Sequence, residues 1–144
     1  RVAEIVAAAG VARSTFYDHF DGVEALFDES LSSLLGEVAR SMVSAARTDM
    51  VWLMEHIHDN RERGRSMLSG PESERTESLL ARLLMRELEG RAEARLLAIL
   101  VAGTVMAALG AWLTGRLAAK PGEMADRLIV TTQAILAAYP ADKP

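Results

Sequence analysis

The sequence contains no cysteine, which excludes a disulfide framework and thiol chemistry and fits a reducing, cytoplasmic compartment. Proline is scarce, and no Gly/Ser-rich linker, internal repeat or alternating strand pattern interrupts the chain, so it reads as all-α. Positive charge is also in short supply. Sixteen Lys and Arg against twenty Asp and Glu leave a net charge of −4, so the molecule as a whole is not a nonspecific nucleic-acid binder. No nucleophile–base set, pair of catalytic carboxylates or phosphate-cradling loop is legible, so neither an enzyme nor a cofactor is expected. No secretory signal pattern opens the sequence. Half of the residues are hydrophobic and a quarter charged, the balance of a soluble globular chain long enough for one or two small units with a real core.

Against these absences stands the stretch VAEIVAAAGVARSTFYDHF, Val2 to Phe20. Val2, Ile5 and Val6 recur at helical spacing, as do Phe16 and Phe20, and Gly10-Val11 lies between the two short apolar faces. Gly10 suits a tight turn that needs positive φ, and Val11 can fill the angle between two helices. The pattern predicts helix, turn, helix. Packing by Phe16 and Phe20 would turn Arg13, Ser14, Thr15, Tyr17 and His19 outward, the arrangement a DNA-reading helix requires.

At these residues, with Gly10-Val11, Phe16-Tyr17, His19-Phe20 and the following EALF, the sequence resembles the helix-turn-helix of the TetR/AcrR family of bacterial transcription regulators. The resemblance implies a double-stranded DNA operator read by Arg13 and Ser14, with Thr15, Tyr17 and His19 holding phosphates. It also implies a further helix ahead of the motif, often led by a basic arm, whereas Arg1 sits at the edge of the motif's first helix. Three positions depart from the family pattern. Ala12 replaces a usual Ser and removes the side-chain cap of the recognition helix. Val23 replaces a Lys that touches a phosphate, and Val6 replaces an Ala at the helix crossing. The segment is also acidic: Glu4, Asp18, Asp21 and Glu24 outnumber Arg1 and Arg13, and DNA-binding surfaces are normally basic.

Further along, Asp21 with Glu24 forms a candidate capping box for a helix running to about Arg47, whose apolar stripe is Phe27, Leu31, Leu34, Leu35, Val38 and Met42. The next helix begins at Thr48 or Asp49 and carries Trp52, Leu53 and Ile57 inward. Glu55 and His58 have di-iron spacing, but no second copy accompanies them and no metal site is expected. Asn60 to Arg65 reads as a solvated helix end, and Ser69-Gly70-Pro71 as a break. A helix follows over Glu72–Glu89 with Leu79, Leu80, Leu83, Leu84 and Leu88 buried.

Leu96 to Gly115 carries no charge and just reaches membrane-span length. Its glycines and threonines, and the amphipathic helices flanking it, favour a buried helix instead, with no membrane partner. Gly103, Ala107, Gly110, Ala111 and Thr114 give it a face of small residues that a partner subunit can cover. After Lys120-Pro121-Gly122, the last helix is lined by Met124, Leu128, Ile129, Thr132, Ile135, Leu136 and Tyr139, and Pro140 to Pro144 is a tail.

The expected architecture is a helix-turn-helix head with its connecting helix over 1–46, joined to an antiparallel helical-bundle domain over 47–144 for ligand binding and dimerisation. The family's last two long helices pair across a homodimer, which points to Gly103, Ala107, Gly110, Ala111, Leu128 and Ile135 at the interface. Trp52, Met54, Met85, Met106 and Trp112 are candidate lining for the pocket of an apolar small-molecule effector. The expected function is a ligand-responsive transcriptional repressor. The alternative is a helical dimeric interaction or ligand-sensing protein with weak or lost DNA binding.

Overall fold

The computed structural model describes residues 1–68 and 71–140. Ser69-Gly70 of the expected break and the tail beyond Pro140 lie outside the described residues. Among those described, eight helices and no strand are present: α1 (Val2–Ala9), α2 (Arg13–His19), α3 (Val23–Ser44), α4 (Arg47–Asp59), α5 (Arg61–Met67), α6 (Pro71–Glu87), α7 (Ala94–Leu113) and α8 (Pro121–Ala138). The chain divides into two compact units, Arg1–Leu34 and Leu35–Pro144. This division falls inside α3. The second half of that helix buries Leu35, Val38, Ala39 and Met42 and so shares the body's core.

In the body, α4 packs along α8, α6 along α7, and α7 on α8, with α5 touching α4, α6 and α7. The core is filled by Met42, Met50, Met54, Leu53, Leu80, Leu84, Leu97, Val101 and Met124, all essentially inaccessible. Helix α7 is long and apolar enough to cross a membrane by length and composition, with a mean hydropathy of 2.2, and half of it is buried within this chain. Its C-terminal end is tied to neighbouring segments. Arg65 Nε donates to Leu113 O, and Gly64 brings α5 so close that a Cβ there would lie 2.8 Å from Leu113 Cδ1. Trp112 Nε1 donates to Ala119 O at 2.9 Å. At the other end of the body, Arg91 reaches the C-terminal turn of α8 and donates to Leu136 O at 3.0 Å.

Four local expectations are corrected. Asn60–Arg65 is solvated as expected, apart from half-buried Gly64, but it is not a helix end, because Arg61–Met67 forms its own short helix, α5. Helix α3 opens at Val23, with Leu26 N–H donating to Gly22 O, so the cap position falls on Gly22 rather than Asp21. Helix α4 begins at Arg47, where Arg47 Nε and Nη2 donate to Asp126 of α8 at 2.7 and 3.1 Å. That hydrogen-bonded pairing and the attraction between the charges raise the Arg47 pKa above its ordinary value. Trp52 does not point inward. It is 60% exposed and stacks on His56 with ring centroids 5.6 Å apart, while Leu53, Met54 and Ile57 take the buried face.

Helix α3 ends in a tight turn in which Ala46 N–H donates to Ser41 O at 2.9 Å. That closure places Ala45 at φ 56°, the left-handed region where glycine is the usual occupant and a Cβ costs about 1–2 kcal/mol. Ala45→Gly relieves the clash but adds chain entropy to the unfolded state. It is expected to stabilise the chain by about 1 kcal/mol, a Tm rise of about 2–4 °C in a thermal melt.

Candidate nucleic-acid interface

Helices α1 and α2 meet at Gly10, which adopts φ 65° and ψ 28°. Gly10 N–H donates to Ala7 O and Val11 N–H to Val6 O, so α1 closes and the chain reverses within two residues. Val11 is not a plug: it is more than two-fifths exposed. The single buried side chain of α2 is Phe16, which lies edge-on to Tyr17 at 5.3 Å and tilted against Phe20 at 5.6 Å between ring centroids. This cluster sets the rotation of α2. With Phe16 inward, Arg13, Ser14, Thr15, Tyr17 and His19 are all exposed.

The structure adds a relation that spacing alone does not resolve. Arg13 and Tyr17, one turn apart, are in contact, with the Arg13 guanidinium carbon 5.7 Å from the centre of the Tyr17 ring. A cation over an aromatic face is attracted to its quadrupole, so the ring restrains the guanidinium while leaving its donors free. Asp18 is exposed on the same short helix, and Val23, where the phosphate-contacting Lys is absent, is exposed at the start of α3.

Residues 1–30 match the family model described as bacterial regulatory proteins, tetR family. The chain's first thirty residues are thus similar to the helix-turn-helix segment of that family. No curated protein and no solved structure matches the chain. The family's N-terminal domain is a DNA-binding helix-turn-helix, so this is a DNA-binding transcriptional regulator.

The remaining site expectations distribute unevenly in the body of the regulator. Of the effector-pocket candidates, Met54, Met106 and Trp112 are buried, whereas Trp52 and Met85 are exposed, so the five do not line one cavity. His58 lies beside Trp112, 5.5 Å between rings. Among the described residues, no group of three or more acidic or histidine side chains is arranged to hold a metal. Between α7 and α8 lies a cavity of about 70 Å³ lined by Thr104, Ala108, Met124, Arg127, Leu128 and Thr131, among others. It is far smaller than the roughly 300–1,000 Å³ of a drug-sized site.

Of the interface candidates, Ala107 is exposed, and Gly103, Gly110, Ala111 and Ile135 are half-buried. Leu128 is a correction: it is 3% exposed and belongs to the subunit's own core. Sequence reading missed Leu96, Ile99, Leu100 and Val130, all large, apolar and exposed, Val130 by 67%. The three on α7 lay inside the uncharged run, whose lack of polar residues hid which face is outside.

Ala12 occupies the cap position of α2 in extended geometry, φ −71° and ψ 151°, with no side-chain cap bond. A serine fits that backbone and would accept from an otherwise free N–H of the first turn. Ala12→Ser should therefore stabilise the head by about 1 kcal/mol. Slower amide exchange across residues 13–16, with body amides unchanged, is the measurement that checks it.

Proposed function

We propose that this regulator is a homodimeric repressor that occupies an operator through two copies of α2 and is released by an apolar small molecule. The observation that carries the reading is the exposed face of α2, on which Arg13 is held by Tyr17 beside Ser14, Thr15 and His19. Arg13 reads a base and Ser14 a neighbouring base edge, while Thr15, Tyr17 and His19 contact phosphates and set register. The effector enters the body by displacing methionines. Met42, Met50, Met54 and Met124 are fully buried there, and their unbranched side chains repack at low cost.

Dimerisation is supported by the outer face of α7 and α8. Leu96, Leu100, Ala107 and Ala111 follow one another at helical spacing along α7, and Val130 and Ala134 lie exposed on α8. The cavity flanked by Thr104 and Ala108 on one side and Arg127 and Thr131 on the other joins the two edges. A second copy covering this face removes the apolar surface that the subunit leaves open. Gly103 is a poor probe of this face, since a Cβ there would meet Glu77 Oε1 of its own subunit at 3.6 Å.

Selection from a random duplex library with the dimer tests the operator reading. Enriched sites should contain two half-sites about 34–36 Å apart, one helical turn. Arg13→Ala should flatten the preference at one base pair per half-site, a loss of about 1–3 kcal/mol in discrimination. Tyr17→Phe keeps the ring under Arg13 and should weaken all sites alike. No enriched sequence would favour the alternative, an interaction or sensing protein with lost DNA binding, to which the acidic residues of the head lend support.

Sedimentation tests the assembly. The parent chain should be a dimer at micromolar concentration. Val130→Asp or Ala107→Leu should yield folded monomer, because a charge or added bulk on a packed face forces the helices apart. A monomeric parent chain overturns the dimer.

A further inference from the structure

Helix α8 holds the α3–α4 elbow from outside. An α-helix leaves its last carbonyls without intrahelical donors. At the end of α3, Ser41 O accepts from Ala46 N–H, while Met42 O and Val43 O accept from the side chain of Gln133 on α8, at 2.8 and 3.0 Å from Nε2. The neighbouring Thr132 hydroxyl, buried, lies 3.7 Å from Met42 Sδ. On the far side of the elbow, Asp126 of α8 takes the first residue of α4, Arg47, through two bonds. Two consecutive carbonyls face the Gln133 amide, so its NH₂ end must point at them. The flipped amide would set oxygen against oxygen.

We propose that Gln133 is a positioning residue. Its amide caps the last turn of α3 and so fixes the angle at which α3 leaves α8, making α8 the element that sets the connecting helix. The usual glycine that would end such a helix on its own is replaced by Ala45, held at φ 56°, so the last turn depends on this outside donor. The inference rests on the proposed function only for what the angle is used for: any movement of α8 on effector binding or dimer formation reaches α3 through this amide. The clamp itself stands apart from that reading.

Three substitutions separate positioning from packing. Gln133→Glu keeps the shape and removes the donors, placing a carboxylate against two carbonyls. Gln133→Met keeps the length without donors or charge. Gln133→Lys restores a donor, since an ammonium also bonds the final carbonyls of a helix. The chain has no cysteine, so Glu37→Cys on α3 and Ser78→Cys on α6, both exposed and both within the body, give a clean pair of spin-label sites. Labelled chains are diluted in unlabelled ones, so that only distances within a subunit are read by pulsed electron resonance without DNA.

The Gln133 parent should show one narrow distance distribution. Gln133→Glu and Gln133→Met should lose it to a broad one, and Gln133→Lys should restore the narrow form, whatever each does to the melting temperature. Gln133→Met decides the matter if Gln133→Glu does not fold. A narrow distribution in the donor-free variants, with or without a lower melting temperature, overturns the proposal and leaves Gln133 as packing. A chain that selects no DNA sequence yet shows the donor-dependent distribution would fail as a repressor and still carry the clamp.

Discussion

A helix that is apolar on every side cannot be satisfied by one neighbour, and α7 is such a helix. Its sequence carries no charge from Leu96 to Leu113. Within the subunit, α6 and α8 bury Leu97, Val101, Val105, Leu109 and Trp112, and α5 closes on its end through Gly64 and Arg65. What these helices leave open is the stripe of Leu96, Leu100 and Ala107. Burial contributes roughly 25 cal/mol for each Å² of apolar surface, so an open stripe of leucines is worth several kcal/mol to whatever covers it. The same residues would be costly to leave in water and are poor candidates for a solvent-facing surface, which is the physical content of the homodimer reading.

Helix α8 then has two tasks on two faces. Its inner residues Met124, Leu128, Thr132 and Leu136 fill the core, and Asp126 and Gln133 reach the elbow where α3 passes to α4. The Arg47–Asp126 pair is largely exposed, so water and salt weaken it. The Gln133 bonds are partly buried and answer carbonyls that have no other described donor, so leaving them unmade carries a desolvation cost. The neutral amide, rather than the ion pair, therefore dominates the elbow.

The fold class and the long helices were legible because periodicity is a property of many residues at once. Leu80, Leu84 and Leu88 recur at four and are all buried. Single positions were less legible. Trp52 is large and apolar, and hydrophobicity alone put it inside. Yet Met50, Leu53, Met54 and Ile57 already complete the inward face of α4, and Trp52 falls outside that arc. Helix α5 escaped notice because RERGRSM is polar and holds a glycine. That glycine is there for close approach to Leu113, a tertiary reason invisible to propensity. The head was legible as a motif, through Gly10, Phe16 and Phe20. The contact of Arg13 with Tyr17 was not, since i,i+4 spacing permits it without requiring it.

The weak charge of the head bears on why assembly and reading belong together. Arg13 is the only basic residue of α2 apart from His19, Asp18 lies on the same helix, and Val23 supplies no phosphate contact. Each neutralised phosphate contributes about 0.9 to the slope of log K against log salt, so a head with few cations has a shallow slope and a small nonspecific affinity. Residues 1–34 of one head thus supply few phosphate contacts. Joining two through a shared face turns the second contact into an intramolecular event and raises avidity by about 10²–10⁴ without a new contact. The gain exists only while the two recognition helices match the groove spacing. On the proposed homodimer reading, the hold on the end of α3 therefore bears on operator affinity alongside the side chains of α2.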